Sequence, residues 1–256
     1  MAKNKRKKKI LVVLKQVPGK KEKGEYRDTE FLNQSDKNVL EEVLNLSDDI
    51  GAETDVMILG PKSAENILQE ALAYGIHEAI LVTNEEDGNH MIGEIGEAVV
   101  FVAEKYGAYD LIFCGRQSID GDSAYVAAMI AENFSIPLIP YAKKTWIEGE
   151  RVLSICSGNR KDEQIRCEMP AMILSVREKN QSRYPTAAHI MRAYSGEYKL
   201  KIIKMKSQEE QNIKIVQTRK YEIEGMGKKH VVVFSGKDAD AASDKLIKII
   251  KEWDVL

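Results

Sequence analysis

Four short apolar runs each lead, after a turn, into a stretch with helical spacing, and this alternation limits the fold more than any other feature of the chain. The runs are Lys9–Gln16, Asp55–Leu59, Glu78–Val82 and Leu111–Cys114. Between the first two, Val39, Leu40, Val43, Leu44 and Leu46 make the apolar face of a helix that starts near Ser35 or Asp36 and stops at Gly51. A second helix is predicted over Ser63–Tyr74, with Ile67, Leu68, Ala71 and Leu72 inward, Glu65 and Glu70 outward, and Gly75 closing it. A third spans Glu94–Tyr106 with Ile95, Val99, Val102 and Ala103 inside, and a fourth begins after Ala124 with Val126, Met129 and Ile130. Strands of that length alternating with helices predict an α/β fold: a mostly parallel, doubly wound sheet whose connections are right-handed.

Ligands of such sheets bind beyond the carboxyl ends of the strands, where the strand order reverses. Two strand ends carry suitable chemistry, Gln16-Val17-Pro18 and Gly115-Arg116-Gln117. In the stretch from Gly115 to Val126, Asp122 is a predicted helix cap preceded by Gly121. The free amides of Ser123, Ala124, Tyr125 and Val126 would then favour a phosphate. The same residues also suit an ordinary strand-to-helix connection.

Beyond Pro137 the pattern changes. Pro140–Ile147 and Arg151–Ser157 read as a hairpin about Glu148-Gly149-Glu150, and Gln164–Glu168 and Ala171–Val176 read as further strands, taken as antiparallel additions to the parallel core. A short helix is predicted over His189–Ala193. Residues 199–229 are rich in Lys, Gln and Glu with one strand candidate at Ile213–Val216, and read as an extended arm suited to a partner surface or a linker. A final helix is expected over Ala239–Trp253, with Ala242, Leu246, Ile249, Ile250 and Trp253 on one face. The expected division is a basic tail (1–8), a nucleotide-binding α/β domain (9–194) and a C-terminal arm and helix (195–256).

The net charge of −2 argues against a general nucleic-acid binder, and no apolar run reaches the ~18–20 residues of a membrane span. Cys114, Cys156 and Cys167 show no CxxC spacing and His77, His90, His189 and His230 no ligand spacing, which suits a reducing cytoplasm and predicts neither disulfide nor metal site. GxGxxG, GxxxxGK[ST] and GxSxG are all missing, so no common dinucleotide, triphosphate or nucleophile motif applies, and no catalytic side chain is expected. Phe234–Asp238 resembles a pyrophosphatase loop but lacks one glycine and has Ala239 for the serine.

ILVVLKQVP in the first strand, DKNVLEEVLNL, GPKSAENILQEALAYG, DLIFCGRQSIDGDSA, MPAMILSV and NxxRYPTxxxIMRA together resemble the beta (small) subunit of electron transfer flavoproteins, in the family's order up to about Ala193. The resemblance implies pairing with an alpha subunit that holds the electron-carrying FAD, and a nucleotide site of its own for AMP, or for a second FAD in electron-bifurcating members. It implies that Lys15, Gln16 and Val17 line the adenosine with Leu59 and Gly60 close by. Gly115, Arg116, Gln117, Asp120, Gly121, Asp122, Ser123, Ala124, Tyr125 and Val126 would surround ribose and phosphate. Asn180, Arg183, Tyr184, Pro185, Ile190 and Met191 match the segment that docks an acyl-CoA or related dehydrogenase. The implied protein is an electron carrier and not an enzyme by itself.

Some positions depart from that pattern. Tyr125 stands where glutamine is usual, His90 and Gly93 replace threonines of bifurcating members, and Gln181-Ser182 replaces an acidic-proline pair. The GRQxIDGD form itself leans toward bifurcating members.

Overall fold

The computed structural model describes residues 6–16, 32, 34–83, 94–116, 124–176, 182–198, 200–205, 243–244 and 247–248. The chain divides into two compact units, Met1–Glu209 and Glu210–Leu256. In the second, residues 243–244 and 247–248 are helical, and the rest of the expected Ala239–Trp253 helix lies outside the described residues, as does the strand candidate Ile213–Val216.

The first unit is built on one nine-stranded sheet. In chain order its elements are β1 (Lys9–Val13), α1 (Gln34–Ile50), β2 (Glu53–Leu59), a single 3-10 turn (Lys62–Ala64), α2 (Glu65–Ala73), β3 (Glu78–Thr83), α3 (Glu94–Tyr106), β4 (Leu111–Gly115) and α4 (Tyr125–Phe134). Then follow β5 (Leu138–Glu148), β6 (Arg151–Cys156), β7 (Glu163–Glu168), β8 (Ala171–Ser175), α5 (Ala187–Tyr194) and β9 (Leu200–Lys204). The strand order is β7-β6-β5-β8-β4-β1-β2-β3-β9. The chain moves outward from β1 to β2 and β3, then returns through α3 to place β4 on the other side of β1. The switch point of the sheet therefore lies between β1 and β4.

Alternation along each buried strand sorts the core into two layers. Ile10, Val12, Leu111, Phe113 and Ile173 face the layer of α1 and α2, whereas Leu11, Val13, Ile112, Cys114 and Leu174 face that of α3 and α4. Strands covered on both faces need apolar side chains at every position, which is why the four runs stood out in the sequence. Burying a side chain such as Leu40, Ile67 or Phe113, each fully enclosed, stabilises the fold by about 1.5–3 kcal/mol. Helix α2 ends where Tyr74 and Gly75 turn, and Gly75 takes φ +101, a conformation in which a side chain is strained.

Several expectations are corrected. β8 runs parallel to both β4 and β5, so only β6 and β7 are antiparallel additions. Leu200–Lys204, expected to be part of the arm, forms edge strand β9, parallel to β3. Glu70 does not face outward: it accepts from the Leu32 amide at 2.8 Å and pairs with Lys37 at 2.8 Å. Burial works against the Lys37 charge, but the Glu70 carboxylate overrides it and raises the pKa of Lys37. On α4 the fully packed face is Ala127, Ile130 and Ala131, with Met129 only half-buried. Ile95 and Ala103 of α3 are likewise partly buried at the margin of the core.

Candidate functional site

The carboxyl ends of β1 and β4 lie side by side, with Val13 opposite Cys114 in a parallel register. Beyond β1, the Lys15 amide donates to Asp36 Oδ2 at 3.1 Å, and Gln16 Nε2 donates to Ser63 Oγ at 3.2 Å. Asp36 is buried in the first turn of α1. Beyond β4, Gly115 pairs with Ser175 of β8, and the Arg116 amide donates to the Ser175 carbonyl at 2.9 Å. A Cβ on Gly115 would lie 2.6 Å from Ser35 Oγ and 3.4 Å from Asp36 Oδ1. Only glycine lets the start of α1 come this close to the end of β4. At the end of β2, the Gly60 amide donates to the Val82 carbonyl at 3.0 Å, which carries Leu59 and Gly60 to the same sheet edge.

Helix α4 begins at Tyr125, after Ala124, and no side chain of Ala124 caps it. The expected cap at Asp122 would have started it earlier; Asp122 itself lies outside the described residues, as do Val17, Gln117, Asp120, Gly121, Ser123, Asn180 and the loop with His90 and Gly93. Ala124 and Val126 pack against the same apolar layer as Leu59, while Tyr125 is 54% exposed. Lys15, Gln16, Leu59, Gly60, Gly115, Arg116, Ala124, Tyr125 and Val126 thus all belong to the carboxyl edge of the sheet or to the helix that follows it. Two cationic side chains, Lys15 and Arg116, and a helix N-terminus are the groups that attract a phosphate.

The second set of expected residues falls on the segment before and along α5. Thr186 caps this helix by accepting from the His189 amide at 3.2 Å. Tyr184 is 93% exposed and Met191 71%, with Ile190 and Tyr194 exposed beside them, and Pro185 is half-buried. An open depression of about 560 Å³ runs along Ala188, Met191, Tyr194 and Ser195. Arg183 uses its donors inside the chain. Its amide and Nε donate to Glu41, Nη1 to Asp48 Oδ2 at 3.1 Å and Nη2 to Asn45 Oδ1 at 2.8 Å, all on α1. Burial works against the Glu41 carboxylate, yet the Arg183 hydrogen bonds hold its pKa below the ordinary range.

Sequence reasoning missed the neighbouring Glu42. Its carboxyl is enclosed and accepts from Thr145 Oγ1 at 2.7 Å and from Ser175 Oγ, and burial pushes its pKa up against those hydrogen bonds. No local pattern announces it, because its partners come from strands more than a hundred residues away. At the amino ends of the strands, Asp55, His77 and Glu78 bring their ligand atoms within 4.8 Å of one another. Lys9 lies 3.5 Å from Asp55, Tyr109 donates to it at 2.9 Å and Lys201 pairs with Glu78, so these carboxylates are already neutralised by ammonium groups.

Sheet order and switch point define the class: an open, doubly wound α/β protein. The chain belongs to the electron transfer flavoprotein domain family, whose model matches residues 25–201. It is 36% identical over 195 residues to the electron transfer flavoprotein subunit beta of Thermoanaerobacterium thermosaccharolyticum, covering 73% of this chain and 75% of that one. The subunit beta of Clostridium acetobutylicum is 35% identical over 200 residues, 75% of this chain and 77% of the relative. A subunit of the caffeyl-CoA reductase-Etf complex of Acetobacterium woodii is 33% identical over 165 residues, 64% of this chain and 63% of the relative. Among the described residues, no helix is long and apolar enough to cross a membrane.

Proposed function

We propose that this chain is the small subunit of a heterodimeric electron transfer flavoprotein that moves electrons between an acyl-CoA-type dehydrogenase and another redox partner. The observation that carries the reading is the parallel pairing of β1 and β4, which brings Lys15, just beyond β1, and Arg116, just beyond β4, to the two sides of the switch point, in a chain whose family match covers β4 and Arg116. Relatives named for acryloyl-CoA and caffeyl-CoA reductases support a partner that acts on acyl-CoA substrates. A bound flavin supplies the one- and two-electron chemistry, and the protein orients it and excludes side reactions. This chain's part is to hold a nucleotide. Lys15, Gln16 and Gly60 suit the adenosine end; Arg116 and the amides at the start of α4 suit the phosphate, either of AMP or of a second FAD. The exposed face of α5 with Tyr184 suits the dehydrogenase, and the arm after β9 suits the alpha subunit. The reading places the complex in the cytoplasm.

The test is to purify the chain with its alpha subunit, denature the complex, and count FAD and AMP per heterodimer. Two FAD and no AMP make electron bifurcation from NADH the mechanism. One FAD and one AMP make the complex a simple shuttle in which this chain's nucleotide only stabilises the fold. A complex without flavin refutes the redox reading.

A further inference from the structure

Tyr141 stands out on backbone grounds alone. It takes φ +54, in the left-handed region, where a bulky residue is a true outlier. The cause is a bulge in β5. Between Ile139 and Ala142 that strand advances three residues while β8 advances two, and between Ala142 and Lys144 it advances two while β6 advances one. The distortion is pinned from both sides, for the Ser157 amide donates to the Tyr141 carbonyl at 2.9 Å and the Val176 amide to the Ala142 carbonyl at 2.9 Å. Bulges next to sites re-aim a side chain, and strain of this kind persists where the surroundings over-determine it. Here the ring is delivered onto the Arg116 guanidinium, 4.9 Å from centroid to Cζ, a cation–π distance. It also packs against the apolar layer that receives Ala124 and Val126, so ring, arginine and helix start share one corner of the sheet edge.

We propose that Tyr141 is a positioning residue for the nucleotide's phosphate: the bulge aims its ring, and the ring holds Arg116 at the carboxyl end of β4. The inference rests on the nucleotide reading given above and adds to it a residue outside the strand ends. Tyrosine supplies a face for the cation while its hydroxyl can stay wet at the margin of the core. An arginine held in advance loses less side-chain freedom when the phosphate arrives.

The experiment measures AMP and adenosine binding to the full chain by calorimetry. Asn tolerates the left-handed backbone, so Tyr141→Asn keeps the bulge and removes the ring, whereas Tyr141→Phe keeps both. Circular dichroism and thermal melting confirm that each variant folds. Expected are a rise of about three- to fivefold in the AMP dissociation constant for Tyr141→Asn, little change for Tyr141→Phe, and adenosine affinity unchanged in both. In an Arg116→Gln background, Tyr141→Asn should add nothing. The proposal is overturned if Tyr141→Asn weakens AMP and adenosine alike, or if it binds AMP as the parent does while Arg116→Gln does not. Should Arg116→Gln itself leave AMP affinity untouched, the assignment of Arg116 to the phosphate fails, and the role of Tyr141 with it.

Discussion

Replacing Arg183 by alanine tests whether the segment before α5 is held by α1. The variant loses the Nε bonds to Glu41, the Nη2 bond to Asn45 and the Nη1 bond to Asp48, but keeps the backbone bond to Glu41. Asp48 is 66% exposed, so its pair contributes only a few tenths of a kcal/mol, and the Asn45 bond about 0.5–1 kcal/mol. Glu41 is only 9% exposed; loss of its charged partner costs about 1–1.5 kcal/mol. The sum, about 2 kcal/mol, corresponds to roughly a 30-fold rise in the opening equilibrium of the segment. Hydrogen exchange followed by mass spectrometry over residues 182–194 reads this opening directly. If the segment unfolds with the rest, the melting temperature falls by about 4–8 °C. The pH dependence has a definite sign. The folded-state pKa of Glu41 lies below its ordinary value of 4.5, so the stabilisation is complete above that value and is lost as the pH falls through the depressed one. The deficit of Arg183→Ala should therefore shrink in acid. Unchanged exchange at neutral pH, or strict additivity with Glu41→Gln in a double-mutant cycle, would refute the staple.

Glu42→Gln should behave in the opposite sense to Glu41→Gln: burial raises the folded pKa of Glu42, so the parent's stability from this group is greatest below 4.5 and declines as the pH rises. Urea titrations should show the variant gaining on the parent between pH 5 and pH 8, and a flat difference contradicts this. Gly115→Ala forces a Cβ against Ser35 Oγ, with an expected loss of about 1–3 kcal/mol by urea titration; a neutral substitution would show that α1 can withdraw freely. In the native chain, a thiol reagent at pH 8 should modify Cys167 first, because Cys114 and Cys156 are buried and burial pushes the Cys156 thiol up to about 11. Early labelling of Cys114, read by peptide mapping, would mean that the end of β4 opens.

The elements that declared themselves in the sequence are those whose burial is set locally. Glu94–Tyr106 is legible to the residue because its apolar spacing and acidic start lie within the helix and Gly107 follows it directly. The hairpin about Gly149 is legible from turn chemistry. What stayed hidden depends on distant partners. Strand direction is not written in a strand's own residues, so the residues of β8 do not show that it runs parallel to β4 and β5. β9 has three apolar residues among lysines, too few for a core strand but enough for an edge covered on one side. Nothing near Glu41 and Glu42 in the sequence announces that their carboxyls are buried, and only Arg183, Thr145 and Ser175, brought in by later elements, make that burial tolerable. Tyr141 carried no sequence signal at all, since neither glycine nor asparagine marks its turn of backbone.

β9 also sets an order of events during synthesis. Ala79, Ile80, Leu81 and Val82 of β3 are wholly enclosed in the finished sheet, and the strand that covers the outer side of β3, away from β2, is not made until Leu200–Lys204 emerges. Until then β3 is an open, sticky border of the growing chain, the kind of edge that recruits other chains. Because α5 lies between β8 and β9 in the chain, and Gln69 of α2 donates to the Ala193 carbonyl, α5 is anchored just as that border closes. A nascent chain that has not yet sealed its sheet therefore has no settled α5 face either, so that exposed surface is finished only when the fold is.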